Sequence, residues 1–155
     1  MAITQAMCTS FKTELLLGVH RFAPTGASAA STFKLALYSS GATLSAGTTA
    51  FVAGGEVVGT NYTSAGSALT ILGVSAGTTS GFVDISDLTF NNVSIAADGA
   101  LIYNTAPQAG NNAGSTITNA AVCVLDFGAT KTASAGDFTI VFPAATSAAA
   151  IIRIA

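Results

Sequence analysis

His20 is the one histidine in the chain, so Ser-His-Asp chemistry would need it as the general base. Serines are abundant, but no Gly-x-Ser-x-Gly turn presents one between a strand and a helix. His20 stands instead beside Arg21, at the exit of the predicted helix, where a partly cationic ring suits the helix dipole. Seven carboxylates remain. Asp84 and Asp87 could approach Asp98 and suggest a paired-carboxylate hydrolase or a Ca²⁺ site. Asp84-Ile85-Ser86-Asp87 is not an EF-hand spacing, and positions three apart on a strand face opposite sides. Solvated carboxylates at strand ends are the simpler reading. Asp98-Gly99 is a turn signal, and Asp126 and Asp137, on either side of Lys131, read as turn-shaping residues. Cys8 and Cys123 have no Cys or His nearby at metal-ligand spacing. They read as small buried hydrophobes, with a disulfide between them left open. Gly54-Gly55 and Gly110 to Gly114 lack the order of a phosphate cradle. The sequence therefore predicts no catalytic residue, no cofactor and no metal.

The elements that would carry these residues are one helix followed by strands. Ile3, Met7, Phe11 and Leu15 recur every four residues, with Cys8 and Leu16 beside them and Thr9, Ser10, Lys12 and Thr13 on the other side. That pattern predicts an amphipathic helix from about Thr4 to Leu17, ended by Gly18. Met7, Phe11 and Leu15 are the candidate packing or assembly residues. Pro24 to Thr32 is a small-residue connector. From Phe33 onward short β-type runs alternate with Gly/Ser/Ala/Asn clusters. Phe33, Leu35 and Leu37 alternate with Lys34, Ala36 and Tyr38, which predicts one buried face. Further runs lie at Ala68–Val74, Phe82–Phe90, Val93–Ile95, Ala100–Tyr103, Ala121–Phe127, Phe138–Phe142 and Ala150–Ile154. Ala100–Tyr103 is apolar on both faces and should be central. Pro107–Asn119 is the longest expected loop.

Strands are not separated by helical patterns, so a parallel α/β sheet is not expected. The predicted fold is mainly β, one domain over residues 1–155. It comprises an N-terminal helix (4–17) and an antiparallel, jelly-roll-like β-sandwich (33–154).

Composition narrows the function. Of 155 residues, 5 are basic and 7 acidic, an 8% charged share, against roughly 25% in ordinary soluble domains. A net charge of −2 argues against nucleic acid, because so few cations neutralise few phosphates. The 50% hydrophobic content argues against a disordered tail. A membrane span is not expected either: the long uncharged stretch Gly99–Leu125 is interrupted by Pro107, Gly110 and Gly114. Met1–Val19 lacks a signal-peptide pattern, which predicts synthesis in and release into a cytoplasm. Asn61-Tyr62-Thr63 and Asn92-Val93-Ser94 then match the glycosylation pattern by chance. A low-charge surface rich in Ala, Thr, Ser and Gly repels its neighbours weakly and suits a subunit largely covered by protein.

Several segments carry a resemblance. The opening Met1-Ala-Ile-Thr-Gln-Ala-Met-Cys-Thr-Ser-Phe-Lys-Thr-Glu-Leu-Leu, Gly18-Val-His20 and Phe33-Lys-Leu-Ala-Leu-Tyr38 resemble a family of small bacteriophage virion proteins. So do Tyr62-Thr-Ser-Ala-Gly66, Gly99-Ala-Leu-Ile-Tyr-Asn104, Val124-Leu-Asp-Phe-Gly128 and Phe138-Thr-Ile-Val-Phe-Pro143. The resemblance implies a virion structural protein assembled in the host cytoplasm. Its expected partners are the major capsid protein or other virion proteins and further copies of itself, as a dimer or trimer. A capsid decoration (cement) protein is the leading expectation. The alternatives are a neck, head-fibre or tail component, or a sandwich module that binds a receptor or glycan.

Overall fold

The N-terminal segment illustrates how strand pairing competes with helix formation. In the computed structural model, which describes residues 2–28, 30–107 and 118–155, the helix expected over Thr4–Leu17 is shorter. Helix α1 spans Thr9–Leu16. Ile3 bridges Leu44, and strand β1 (Ala6–Met7) pairs with Val124 and Cys123. The Cys8 N–H donates to Val122 O at 3.0 Å and the Thr9 N–H to Ala46 O at 2.8 Å. Sheet and loop carbonyls thus take the amides that a longer helix would bond to Thr4 O and Gln5 O. The helix ends as expected at Gly18, whose φ of +73° lets the Gly18 and Val19 amides return to Leu15 O and Glu14 O.

Seven further strands follow: β2 (Phe33–Tyr38), β3 (Ser67–Ala68), β4 (Ile71–Ala76), β5 (Gly81–Ile85), β6 (Leu88–Asn104), β7 (Ala120–Ile140) and β8 (Arg153–Ile154). They form two antiparallel sheets, one in the order β1-β7-β6-β2-β3 and one in the order β4-β5-β8. The fold is therefore mainly β, with one short helix at the N-terminus, as the sequence predicts. Ala100–Tyr103 is central, buried within β6 between β7 and β2.

Strand β2 corrects a local expectation. It is buried on both faces, not one. Phe33 lies opposite Asn104 and Lys34 opposite Tyr103, and cross-strand partners share a face. On the Phe33/Asn104 face sit Phe11, His20 and Phe22, with Phe22 stacked on Phe33 at 4.3 Å. On the other face Phe51 stacks on Tyr103 at 4.8 Å and meets Tyr38 edge-on.

The runs expected as separate strands merge into two long ones. Val93–Ile95 and Ala100–Tyr103 both belong to β6, and Ala121–Phe127 joins Phe138–Ile140 in the 21-residue β7. These two strands pair from Leu88↔Ile140 to Asn104↔Ala120, with four register shifts. Asp98-Gly99 is accordingly not a turn but lies inside β6. Opposite it β7 bulges through Phe127–Thr130, where Thr130 Oγ1 donates to Asp98 Oδ1 at 2.7 Å and the Gly128 N–H to Asp126 Oδ1 at 2.8 Å. Two offsetting bulges follow, in which the Asn92 N–H donates to Asp137 Oδ1 and the Ala135 N–H to Ser94 Oγ, both at 2.9 Å. Gly99 is required where it stands, because a Cβ there would strike Leu125 O and the Ile3 side chain. Most of the loop expected over Pro107–Asn119 lies outside the described residues.

Candidate functional site

The three candidate packing residues do not form one helical stripe. Met7 is on strand β1, whereas Phe11 and Leu15 are on α1. Phe11 is fully buried, and Met7 and Leu15 are half-buried against the core. Leu16, beside Leu15, is 90% exposed.

The most concentrated chemistry lies beneath α1. The reversal at Gly18 folds the chain back so that His20 meets Glu14, six residues earlier. His20 Nε2 is 2.7 Å from Glu14 Oε2. Its other nitrogen, Nδ1, is 3.1 Å from Asn104 Nδ2. All three side chains are buried, with Phe11 and Phe33 against the imidazole. Burial lowers the His20 pKa, and the hydrogen bond and charge of Glu14 only partly offset that. The expected partly cationic ring suited to the helix dipole is therefore corrected to a buried ring held by two polar partners. With both ring nitrogens engaged, neither is presented to a substrate in this conformation.

A second carboxylate organises the other face. Glu56 Oε1 accepts from the Tyr62 hydroxyl at 2.9 Å and the Ala65 N–H at 2.6 Å, and Oε2 accepts from Ser64 Oγ at 3.0 Å. The Tyr62 hydroxyl also accepts the Leu37 N–H at 2.9 Å, which ties this clasp to β2. Burial pushes the Tyr62 and Tyr38 phenols far up, and Tyr103 up to about 12. All three therefore act as neutral donors.

The strand carboxylates form no cluster of three among the described residues, although Asp98 and Asp126 line one small concavity of about 170 Å³. Asp87 Oδ1 accepts the Phe142 N–H, while Asp98, Asp126 and Asp137 serve the β6–β7 bulges. Among the described residues no group of three or more His, Cys, Asp or Glu side chains could hold a metal ion. Cys8 and Cys123 are free, buried thiols. Burial pushes Cys8 up to about 11 and Cys123 up to about 12. Two surface concavities are open. One of about 400 Å³ is lined by Phe127, Lys131, Phe138, Thr139, Ile140 and Val141. Another, also about 400 Å³, runs along Thr43–Val52. Among the described residues no helix is long and apolar enough to cross a membrane.

Reasoning from sequence missed Glu14, Asn104 and Glu56 as organising groups. A glycine terminator two residues before the sole histidine was the available signal for the first. Asn104 and Glu56 act through contacts distant in sequence and leave no local trace. No family model, curated protein or solved structure matches the chain.

Proposed function

We propose that the chain is a structural protein of a bacteriophage virion, a capsid decoration protein that stabilises the head shell through a jelly-roll-like sandwich. One observation carries this reading beyond the resemblance of its segments. Six of the seven carboxylates, Glu14, Glu56, Asp87, Asp98, Asp126 and Asp137, are engaged in bonds that hold the fold itself. Large apolar side chains nonetheless stand on the outside: Val58 is 96% exposed, Leu16 90% and Val141 72%. A surface of this kind gains stability by contact with protein and loses little to charge desolvation. A clip that binds only the assembled shell stabilises it by mass action.

The test is to locate and count the chain in purified virions. A shell-wide lattice with hundreds of copies supports a decoration protein. A hexameric or dodecameric ring moves the chain to the neck or tail. Heads that lack the chain altogether overturn the decoration role.

A further inference from the structure

The bonds around His20 assign its protonation state without reference to any titration. An Asn side chain has one donor end and one acceptor end. Asn104 Oδ1 accepts the Ala106 N–H at 3.0 Å, and a backbone amide cannot reverse its role. The NH₂ end of Asn104 therefore faces His20 and donates to Nδ1. Nδ1 must then be the bare acceptor, so Nε2 carries the proton and donates it to Glu14 Oε2. The ring is neutral, and the chain Glu14–His20–Asn104–Ala106 is satisfied in one direction only.

We propose that His20 is a proton-operated latch that, while neutral, holds the chain at Ala106 as it leaves β6 and, when protonated at Nδ1, releases that hold. A proton on Nδ1 sets an N–H against the NH₂ of Asn104. A half-turn of the Asn104 amide relieves this by turning Oδ1 toward the imidazolium. The same half-turn points the NH₂ group at the Ala106 N–H, which loses its acceptor. One hydrogen bond is gained at the ring and one is lost at the backbone. The residue before is held separately: the Thr105 N–H and Oγ1 both donate to Thr32 O, at 2.8 and 3.0 Å. Release therefore begins beyond Thr105.

Few other charges bear on the ring. From α1 it meets Glu14, with Cys8 close enough to Glu14 to feel its charge. From β2 it meets Phe33, while Lys34 points to the opposite face with its partner Tyr103, whose hydroxyl donates to Ala65 O. From β6 it meets Asn104. Arg21, next in the chain, is exposed, with its backbone bonded to Ser31.

The test is NMR on the full chain, following the His20 ring nitrogens and the amide exchange of Ala106 from about pH 7.5 to 4.5. At the upper end His20 should be the Nε2–H tautomer. As the ring titrates, protection of Ala106, corrected for intrinsic exchange, should fall about tenfold or more while Thr105 keeps its own. His20→Gln offers the same acceptor and donor without a titrating proton, so its Ala106 should stay protected throughout. An Nδ1–H tautomer at the upper end overturns the latch, as does a ring that never titrates in this range. So does steady Ala106 protection through the ring titration, or an equal loss in His20→Gln. The wild-type measurements decide the matter even if the variant fails to fold.

Discussion

Phe11→Ala tests whether α1 is an integral part of the fold. The ring is fully buried, tilted on His20 at 4.9 Å and edge-on to Phe22 at 6.0 Å. Burial of such a side chain contributes about 1.5–3 kcal/mol, and aromatic pairs add about 0.5–1.5 kcal/mol each. These contributions lead to the ~3–5 kcal/mol typical of a Phe→Ala change in a packed core. At this chain length each kcal/mol lowers Tm by roughly 2–4 °C, so a fall of about 6–20 °C is expected. The cavity would also admit water beside Glu14 and His20, which favours the lower half of that range. Thermal and urea unfolding measure the effect, with Leu16→Ala as the control on the same helix. Leu16 is exposed, so the control should stay within about 0.5 kcal/mol of wild type. A loss below about 0.5 kcal/mol for Phe11→Ala would refute the reasoning, because it would mean that the helix does not pack as described.

Glu56→Ala strands the Tyr62 hydroxyl and the Ala65 N–H, and should cost at least about 1.5–3 kcal/mol in urea unfolding. The His20 pKa is lowered from 6.5 on folding, so the unfolded chain takes up the proton first as pH falls. Stability should therefore hold above about pH 6.5, drop below it, and level off beneath the native pKa; denaturation midpoints across pH check this, and His20→Gln should flatten the slope. Neither Cys8 nor Cys123 should react with a disulfide-exchange reagent in the native protein on the timescale at which the unfolded chain reacts completely. If the chain is a decoration protein, stripped virions should rebind it almost equally between about 0.05 and 0.5 M salt; a steep loss would point to charged contacts instead.

The fold class was legible because the short apolar runs of β2 and of the core stretches of β6 and β7, buried on both faces, are bounded by turn residues and lack helical spacing. The N-terminus misleads for a specific reason. Ile3 and Met7 are four apart, a spacing that suits a helix face but also one face of an extended chain. The bonds that decide between them, to Leu44 and Cys123, lie far along the sequence. Asp126 and Asp137, on either side of Lys131, read as turn-shaping residues, yet Lys131–Ala133 and Gly136 between them pair with Ala97–Ile95 and Val93. The buried cluster was half legible. His20 and Gly18 stand out, but nothing in the sequence pairs Glu14 with the imidazole, which it meets only through the reversal at Gly18.

The paired β6 and β7 also constrain how the chain reaches its native state. Their pairing runs from Asn104↔Ala120 out to partners as distant in sequence as Leu88 and Ile140. Such non-local zippering is slow and exposed to one-residue slips, each of which would turn the apolar face outward. Asp98, Ser94 and Asp137 find their donors on Thr130, Ala135 and Asn92 only in the native alignment. They favour the native alignment over a slipped one, in which these exposed groups would exchange their protein partners for water.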